Sequence, residues 1–580
     1  MSDMETGSGR LRSARWLDAP EEVGLQNRAA LRAVGLDPKP GRPVIGISNT
    51  VSDLNPCNSS LSGQIEAARA GVVAAGGIPV VFPSISLGED LMKPTAMLYR
   101  NLLSIEIEEM VRAYPIDALI LTANCDKTIP GAIMGAVSAN VPTVLILGGA
   151  RPPAEFNGER LGSGTDLWKA LDERRAGRMS EENWQAFENC YSCGLGACNV
   201  MGTATTMAIT AETLGFTISG ASTVPAGDPR GLSFAAEAGR TAVERAHHPI
   251  RPRELVTEAS LANALSVVSA CGGSTNAVIH LAAVAGRAGI SLTPIALQEA
   301  FKKAPVVTDI QPIGKGLAQD FDAAGGVPTL LRSLSTLLDG STPNVQGRTL
   351  AEVIEVAETP ARVIRELEDV PDDVPGGLAV LSGSLAPDGA LIKVAAASEG
   401  LLVHHGPAVV FADYDDMRRR IDDPHLDVSP ESVLVLQGGG PVGGPGMPEW
   451  AMIPIPGKLA RMGVKDMVRV SDARMSGTSF GTVVLHVAPE SAVGGPLSLV
   501  RDGDVIALDV PNGRIDLEVD PEELARRRTE WTPSPSPHVR GWVALYRNHV
   551  TQAPQGCDLD FLQALGPGTD AFIEPVVGRS

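Results

Sequence analysis

The chain has 580 residues, 44% of them hydrophobic and 20% charged, the composition of a globular protein too long for a single core. Its 68 acidic and 48 basic side chains leave a formal charge of −20, which argues against the clustered Lys and Arg surface that a nucleic-acid partner requires. Seven cysteines, an odd number, are not a disulfide framework and point to the reducing cytoplasm, where each thiol is core, ligand or nucleophile.

In chain order, residues 1–16 are polar with scattered Arg and show no apolar run of a signal peptide. Residues 43–49 read as a buried strand opening into a polar loop with Asn49, Asp53 and Cys57. The spacing of Leu61, Ile65, Ala68 and Val72 predicts a helix over 60–75, stopped by Gly76-Gly77. A strand over 78–85 follows, then a loop with Glu89 and Asp90. The least polar stretch, 71–87, is broken by Gly76-Gly77, Pro79 and Pro83, so no membrane span is expected. Residues 97–114 predict an amphipathic helix with Leu98, Leu102, Ile105, Met110 and Val111 inward. The apolar run 118–123 predicts a buried strand, Pro130-Gly131 a turn into a helix, and 142–147 a further strand.

This alternation predicts an α/β fold with a doubly wound parallel sheet. Loops after the C-terminal strand ends of such a sheet share one rim. Asn49 and Cys57, Glu89, and Asn124-Cys125-Asp126-Lys127 all occupy such loops. Residues 150–188 read as a charged, irregular surface excursion leading to a Gly-rich loop with Cys190, Cys193 and Cys198. A mostly helical region continues to about 365, with Cys271-Gly272-Gly273-Ser274-Thr275-Asn276 ahead of an apolar helix around 278–285. The expected division is an N-terminal α/β domain over 1–368, a linker at 369–377 and a C-terminal, mainly β, barrel-like domain over 378–580. Strands are expected there at 378–381, 390–395, 408–411, 432–436, 467–470 and 482–487, and Asn512-Gly513 turns a hairpin within 505–519.

Three groups of side chains could carry chemistry. Cys57, Cys125 and Cys198 lie in loops where backbone can approach a cluster, but none belongs to a tight pair, and buried small hydrophobes are an equal reading. Cys190 and Cys193 form a C-x-x-C without thioredoxin-like surroundings, and Cys271 and Cys557 read as structural. Glu89, Asp126 and Glu449 are hard oxygen donors suited to Mg²⁺, although each alone reads more simply as a solvated charge or a helix cap. Lys127 beside Asp126 reads as an ion-pair lysine. Ser476, in Ser471-Asp472-Ala473-Arg474-Met475-Ser476-Gly477-Thr478, has no histidine base near it in sequence except His486. The Gly-rich loop 438–449 could cradle an anion but lacks the ending of a P-loop.

Cys125-Asp126-Lys127-Thr128-Ile129-Pro130-Gly131 and Ser471-Asp472-Ala473-Arg474-Met475-Ser476-Gly477 resemble the two signature segments of the dihydroxy-acid/phosphogluconate dehydratase family. The resemblance runs from about Leu11 to Leu565. It implies a [2Fe–2S] cluster on Cys57, Cys125 and Cys198, three ligands leaving one iron open as a Lewis acid. It implies Mg²⁺ on Glu89, Asp126 and Glu449, and Lys127 matches a lysine that is carbamylated in family members. Ser476 matches the residue assigned as the base, acting as an alkoxide, and Thr478 is expected to orient substrate. The implied reaction is loss of water from a polyhydroxy acid to give a 2-keto-3-deoxy acid.

Branched-chain dihydroxy-acid dehydratases usually carry a small apolar residue in place of Thr478, and segments 93–101 and 485–490 are similar to the arabinonate and xylonate branch. An aldonate such as L-arabinonate, D-xylonate or D-gluconate is therefore the expected substrate. The alternatives are a branched-chain dihydroxy-acid dehydratase, a phosphogluconate dehydratase, an iron–sulfur redox protein and a purely structural oligomerisation protein. The resemblance also implies a homodimer or homotetramer. Cys190-Tyr191-Ser192-Cys193 departs from the family pattern; Cys198, within Gly-Ala-Cys-Asn-Val-Met-Gly-Thr, is the expected ligand there.

Overall fold

Four apolar runs separated by helices build the first sheet of this computed structural model, which describes residues 11–563 except 20, 192–193 and 372–373. Strands β1 (Val44–Asn49), β2 (Ile78–Pro83), β3 (Ala118–Ala123) and β4 (Thr143–Leu147) pair in parallel in the order β2-β1-β3-β4. Every residue of β3 and β4 is buried, as expected of strands covered on both faces. The helices Ser62–Ala74 and Pro229–His247 cross so closely that a Cβ on Gly71 would stand 2.1 Å from Ala236 O. Gly71→Val is expected to force them apart and destabilise the protein by about 1–3 kcal/mol. The check is a lower urea midpoint at unchanged slope; an unmoved midpoint would mean that the crossing has slack.

The helix predicted over 97–114 forms as a 3₁₀ turn, Ala96–Tyr99, running into Arg100–Ala113. Its inner face differs from the predicted stripe. Arg100, Asn101, Leu103, Ser104, Ile107 and Val111 are buried, whereas Leu102, Ile105 and Met110 are half-buried. The inner polar groups are satisfied by the C-terminal segment. Arg100 Nη2 donates to the carbonyls of Gly556 (2.7 Å) and Cys557 (2.9 Å), and Asn101 Nδ2 donates to Cys557 O (3.0 Å). Apolar periodicity cannot register a buried face built from a paired cation and an amide.

Residues 150–188 are not an irregular excursion. They fold as the hairpin β5 (Ala154–Phe156) and β6 (Glu159–Leu161), then the helices Thr165–Arg175 and Glu181–Tyr191. Phe187 holds this unit together, stacked on Tyr191 at 5.4 Å and edge-on to Phe156 at 5.5 Å between ring centroids. The charges that suggested a loop lie mostly on the outer helix faces, so they hide a small aromatic core.

The second sheet has eight strands: β7 (Ala379–Leu381), β8 (Gly389–Ile392), β9 (Val403–Phe411), β10 (Val433–Leu436), β11 (Arg469–Ser471), β12 (Val483–Ala488), β13 (Val505–Asp509) and β14 (Arg514–Glu518). Their order is β14-β13-β9-β10-β11-β12-β8-β7. The outermost strands approach each other: Ser382 N donates to Gly513 O (2.9 Å) and Ile515 N to Ser382 O (3.1 Å), so the sheet nearly closes. Its interior is filled by Ile392, Val433, Val435, Val470, Val484 and Ile515 among others. The β13–β14 hairpin turns at Asn512-Gly513, where Gly513 adopts φ +65°. Among the described residues no helix is long and apolar enough to cross a membrane.

Candidate active site

The strand order reverses between β1 and β3, and in open parallel sheets ligands bind past the strand C-termini at such a point. β1 leads to the one-turn helix Pro56–Ser59, which carries Cys57; β3 leads to Cys125, Asp126, Lys127 and the helix Thr128–Ala139. Two asparagines lace these loops. Asn58 Oδ1 accepts from the backbone N of Asn124 (3.0 Å) and Cys125 (3.1 Å), and Asn124 Nδ2 donates to Cys57 O (2.9 Å) and Gly149 O (2.8 Å). The Cys198 loop joins through backbone bonds, Ala197 N to Gly149 O (2.9 Å) and Gly196 N to Pro56 O (3.1 Å). The three cysteine loops are therefore one hydrogen-bonded unit.

Cys125 and Cys57 are close enough for their thiols to share a hydrogen bond; that bond, burial and the charge of Cys57 push the Cys125 thiol well above its usual range. Burial pushes Cys198 up to about 12, against the pull of Arg151. The Arg151 guanidinium reaches toward Cys57 Sγ (3.9 Å) and Asp90 (3.6 Å). The other cysteines behave differently. Cys190 donates to Phe187 O (3.3 Å) within the aromatic unit, Cys271 and Cys557 are buried, and Cys193 lies outside the described residues.

Lys127 is fully buried, and three carboxylates meet at its ammonium: Asp126, Glu449 Oε1 at 3.0 Å and Glu89 Oε2 at 3.3 Å. Burial and the Arg474 charge oppose the ammonium, but the carboxylates outweigh them and hold it above the ordinary lysine range. Glu449 also accepts from Arg474 Nη1 (2.9 Å) and Asn276 Nδ2 (3.0 Å). Burial alone would raise that carboxyl; Lys127 and Arg474 bring it down to about 2. Glu89 goes the other way, burial raising it despite Lys127, while its Oε2 accepts from Thr95 Oγ1 (3.2 Å) and Ala96 N (3.1 Å).

The serine turn is tied to this cluster from two sides. Arg474 Nε donates to Met447 O (2.6 Å) and its Nη2 to Thr95 Oγ1 (3.0 Å). Asn276 Nδ2, which holds Glu449, also donates to Met475 O (3.1 Å), one residue before Ser476. Ser476 Oγ and Thr478 Oγ1 are 2.9 Å apart. At Gly477 the turn presses on the N-terminal half, where an added Cβ would meet Thr203 N at 2.7 Å and Ser274 Cβ at 2.8 Å. The structure thus gathers Glu89, Asp126 and Glu449 around the Lys127 ammonium and ties the turn of Ser476 and Thr478 to them through Asn276 and Arg474.

Neither histidine near the site is hydrogen-bonded to this serine among the described residues. Burial, then Arg474, brings His486 down to about 3, and neither of its ring nitrogens has a hydrogen-bond partner among the described residues. His280 is likewise held well below its usual range by burial and Arg100. The Gly-rich loop 438–449 does cradle acidic groups, but they are the chain's own carboxyls. Gly439 N donates to Asp472 (2.9 Å), and Val442 N (2.9 Å) and Gly443 N (2.8 Å) donate to Glu490.

Sequence reasoning missed Thr165, Trp168 and Tyr191, because the segment that carries them read as surface. It also missed Lys393, just past β8. Lys393 is buried, with Gly477 O at 3.5 Å, and burial lowers its ammonium to about 8 even though Cys271 pulls it up. Unfolded lysine titrates near 10.4, so from about pH 8 to that value the unfolded chain binds the extra proton and stability rises with pH. Lys393→Met is expected to be more stable than the parent at pH 7 by roughly 1–3 kcal/mol, the advantage vanishing above about pH 10. Denaturation at both pH values is the check. Lower stability of the variant at pH 7 would mean that the bond to Gly477 outweighs burial of the charge.

Among the described residues no three His, Cys, Asp or Glu side chains stand ready to enclose a metal ion as they are. The donor chemistry nevertheless suits two different cations. Three carboxylates aimed at one positive charge suit a hard ion such as Mg²⁺. Three thiol loops laced into one unit suit a softer, sulfur-loving centre short of a fourth protein ligand.

Comparison with known proteins agrees with the two-part architecture. Residues 42–353 match the profile of the dihydroxy-acid/6-phosphogluconate dehydratase N-terminal domain, and residues 362–557 match that of the C-terminal domain. The chain is 44% identical to a 6-deoxy-6-sulfo-D-gluconate dehydratase of Pseudomonas putida, over 97% of this chain and 98% of that protein. It is 44% identical to an L-arabinonate dehydratase of Rhizobium leguminosarum bv. trifolii, over 96% of each chain. A dihydroxy-acid dehydratase of Moorella thermoacetica is 38% identical over 92% of this chain and 98% of its own length. The chain belongs to the dihydroxy-acid/6-phosphogluconate dehydratase family, and its reaction class is that of a hydro-lyase.

Proposed function

We propose that this protein removes water from a sugar acid to give the 2-keto-3-deoxy acid. The observation that carries the reading is the double role of Asn276, whose Nδ2 bonds both Glu449 Oε1 (3.0 Å) and Met475 O (3.1 Å) and so sets the serine turn beside the carboxylate cluster. The 44% identity to proteins named for sulfogluconate and arabinonate dehydration, against 38% to a dihydroxy-acid dehydratase, supports an aldonate substrate.

Cys57, Cys125 and Cys198 would hold a [2Fe–2S] cluster, and Glu89, Asp126 and Glu449, with Lys127 as a carbamate, would hold Mg²⁺. Bound there, these groups supply Lewis acidity toward the hydroxyl and carboxylate oxygens of the substrate. The chain's own residues do the proton work. Ser476 Oγ, as an alkoxide, takes the C2 proton; the C2–H electrons form the double bond as the C3–O bond breaks. The departing hydroxide takes up the serine's proton and leaves as water, and the enol becomes the ketone. Arg474 and Asn276 orient Glu449 and the turn. A small-molecule substrate, a cytoplasmic location and a homo-oligomeric state complete the reading.

The test is keto-acid formation by protein purified without oxygen and reconstituted with iron, sulfide and Mg²⁺. Turnover of L-arabinonate, D-xylonate or D-gluconate is expected to exceed that of 2,3-dihydroxyisovalerate by about tenfold or more, the discrimination that a site built for an extra hydroxyl gives. Preference for the branched-chain acid would overturn the substrate assignment.

A further inference from the structure

We propose that Trp168 is a positioning residue that commits the Thr478 hydroxyl as a hydrogen-bond donor to Ser476 Oγ, so that the helix Thr165–Arg175 completes the proton-transfer site. The inference rests on the assignment of Ser476 as the base. An indole N–H can only donate, and Trp168 Nε1 stands 3.0 Å from Thr478 Oγ1, so that oxygen accepts there. Taken alone, the 2.9 Å pair of Thr478 Oγ1 and Ser476 Oγ could run in either direction. The indole takes one lone pair of Thr478, and an alkoxide at Ser476 has no hydrogen to give, so the threonine's own hydrogen runs to Ser476 Oγ and the indole polarises it. The backbone N of Thr478 points at the same serine oxygen from 3.4 Å. Ser476 Oγ therefore faces two donors from one residue, the arrangement that stabilises an oxygen carrying negative charge.

The indole is held in place by the helix that carries it. Thr165 Oγ1 donates to Thr478 O (2.9 Å), so the first turn of the helix grips the serine turn directly. Gly164 N, at the helix start, donates to Tyr191 OH (2.6 Å), which anchors that end to the aromatic unit. At the other end Arg175 Nη2 pairs with Asp422 Oδ1 (2.8 Å) in the C-terminal half. Bridged in this way, the helix spans both halves of the molecule across the serine. When Ser476 takes the C2 proton, Thr478 and Trp168 keep their own hydrogens; they set how readily Ser476 carries charge and move no proton themselves.

Trp168→Phe keeps an aromatic ring and removes the donor. In the reconstituted protein its kcat is expected to fall about tenfold with KM within about twofold, and the acid limb of the kcat–pH profile to move about one unit to higher pH. Thr478→Val is expected to cost about 10²-fold, and the double variant no more than Thr478→Val alone. Trp168→Phe identifies the Trp168 indole resonance in tryptophan-labelled protein. That signal is expected to move upfield in Thr478→Val and to stay put in Ser476→Ala, a readout that needs no turnover. An unmoved pH profile with additive effects, alongside an inactive Ser476→Ala, would leave Trp168 only a packing role and overturn the inference. An active Ser476→Ala would overturn the base assignment itself, and with it this role, while the indole shift would still report the hydrogen bond.

Discussion

Ser476→Ala is expected to lower kcat by about 10³-fold while leaving KM within a few-fold, because the lost group acts on the C2 proton only in the transition state. Three observations motivate it. Ser476 is half-buried, in reach of the Thr478 hydroxyl and within one residue of a carbonyl held by Asn276. His486, the histidine nearest Ser476 in sequence, makes no hydrogen bond to it among the described residues. The positive charge of Arg474 lies in the cluster to which the turn is tied, which is what a serine oxygen needs if it is to carry charge. Stability is expected to change little, because the hydroxyl's hydrogen bonds among the described residues, to Thr478 Oγ1 and from Thr478 N, stay within the turn itself. Steady-state kinetics and thermal unfolding of the same preparation decide the matter. A variant with full kcat would remove Ser476 from proton transfer, and an unfolded one would leave Ser476→Gly to carry the comparison.

Much of the scaffold can be read from local pattern, and the reason is physical. Strands buried on both faces, such as Ala118–Ala123, appear as uninterrupted apolar runs, and the helices between them close each parallel crossover. The eight-stranded sheet announces itself through short apolar runs and the Asn512-Gly513 turn, whose backbone conformation few other pairs adopt. Loops at strand ends carry the cysteines and the Asp126-Lys127 pair, so their convergence follows from topology. What stayed hidden depends on partners far away in the chain. Trp168 meets Thr478 across 310 residues, and Arg100 meets Cys557 across 457. Neither contact leaves a periodic trace, and the inner face of Arg100–Ala113 even reads as polar surface. Lys393 is the same case in reverse, a charged residue in a strand-end position that packing has taken out of water.

Lys127→Met is expected to destabilise the protein by about 3–5 kcal/mol, the cost of removing one partner from a buried ionic cluster. The wild-type ammonium balances Glu89, Asp126 and Glu449 at a point fully shielded from water. Methionine keeps much of the volume but leaves three carboxylates facing one another, with Arg474 paired to Glu449. Repulsion at this range in a low-dielectric site cannot be relieved by rotation, because Glu89 is also held by Thr95 and the backbone of Ala96. Lys127→Arg restores the charge and is expected to recover part of that stability. It is not expected to recover turnover, because a guanidinium cannot become the carbamate proposed for Lys127. Denaturation without added metal, set against keto-acid formation by the reconstituted protein, separates the two roles. If Lys127→Arg regained both stability and activity, the lysine would be a counter-ion alone and the carbamate would have no part in the reaction. If Lys127→Met kept its stability, the carboxylates would have to be shedding charge or gaining another cation, and the cluster would not depend on its central ammonium.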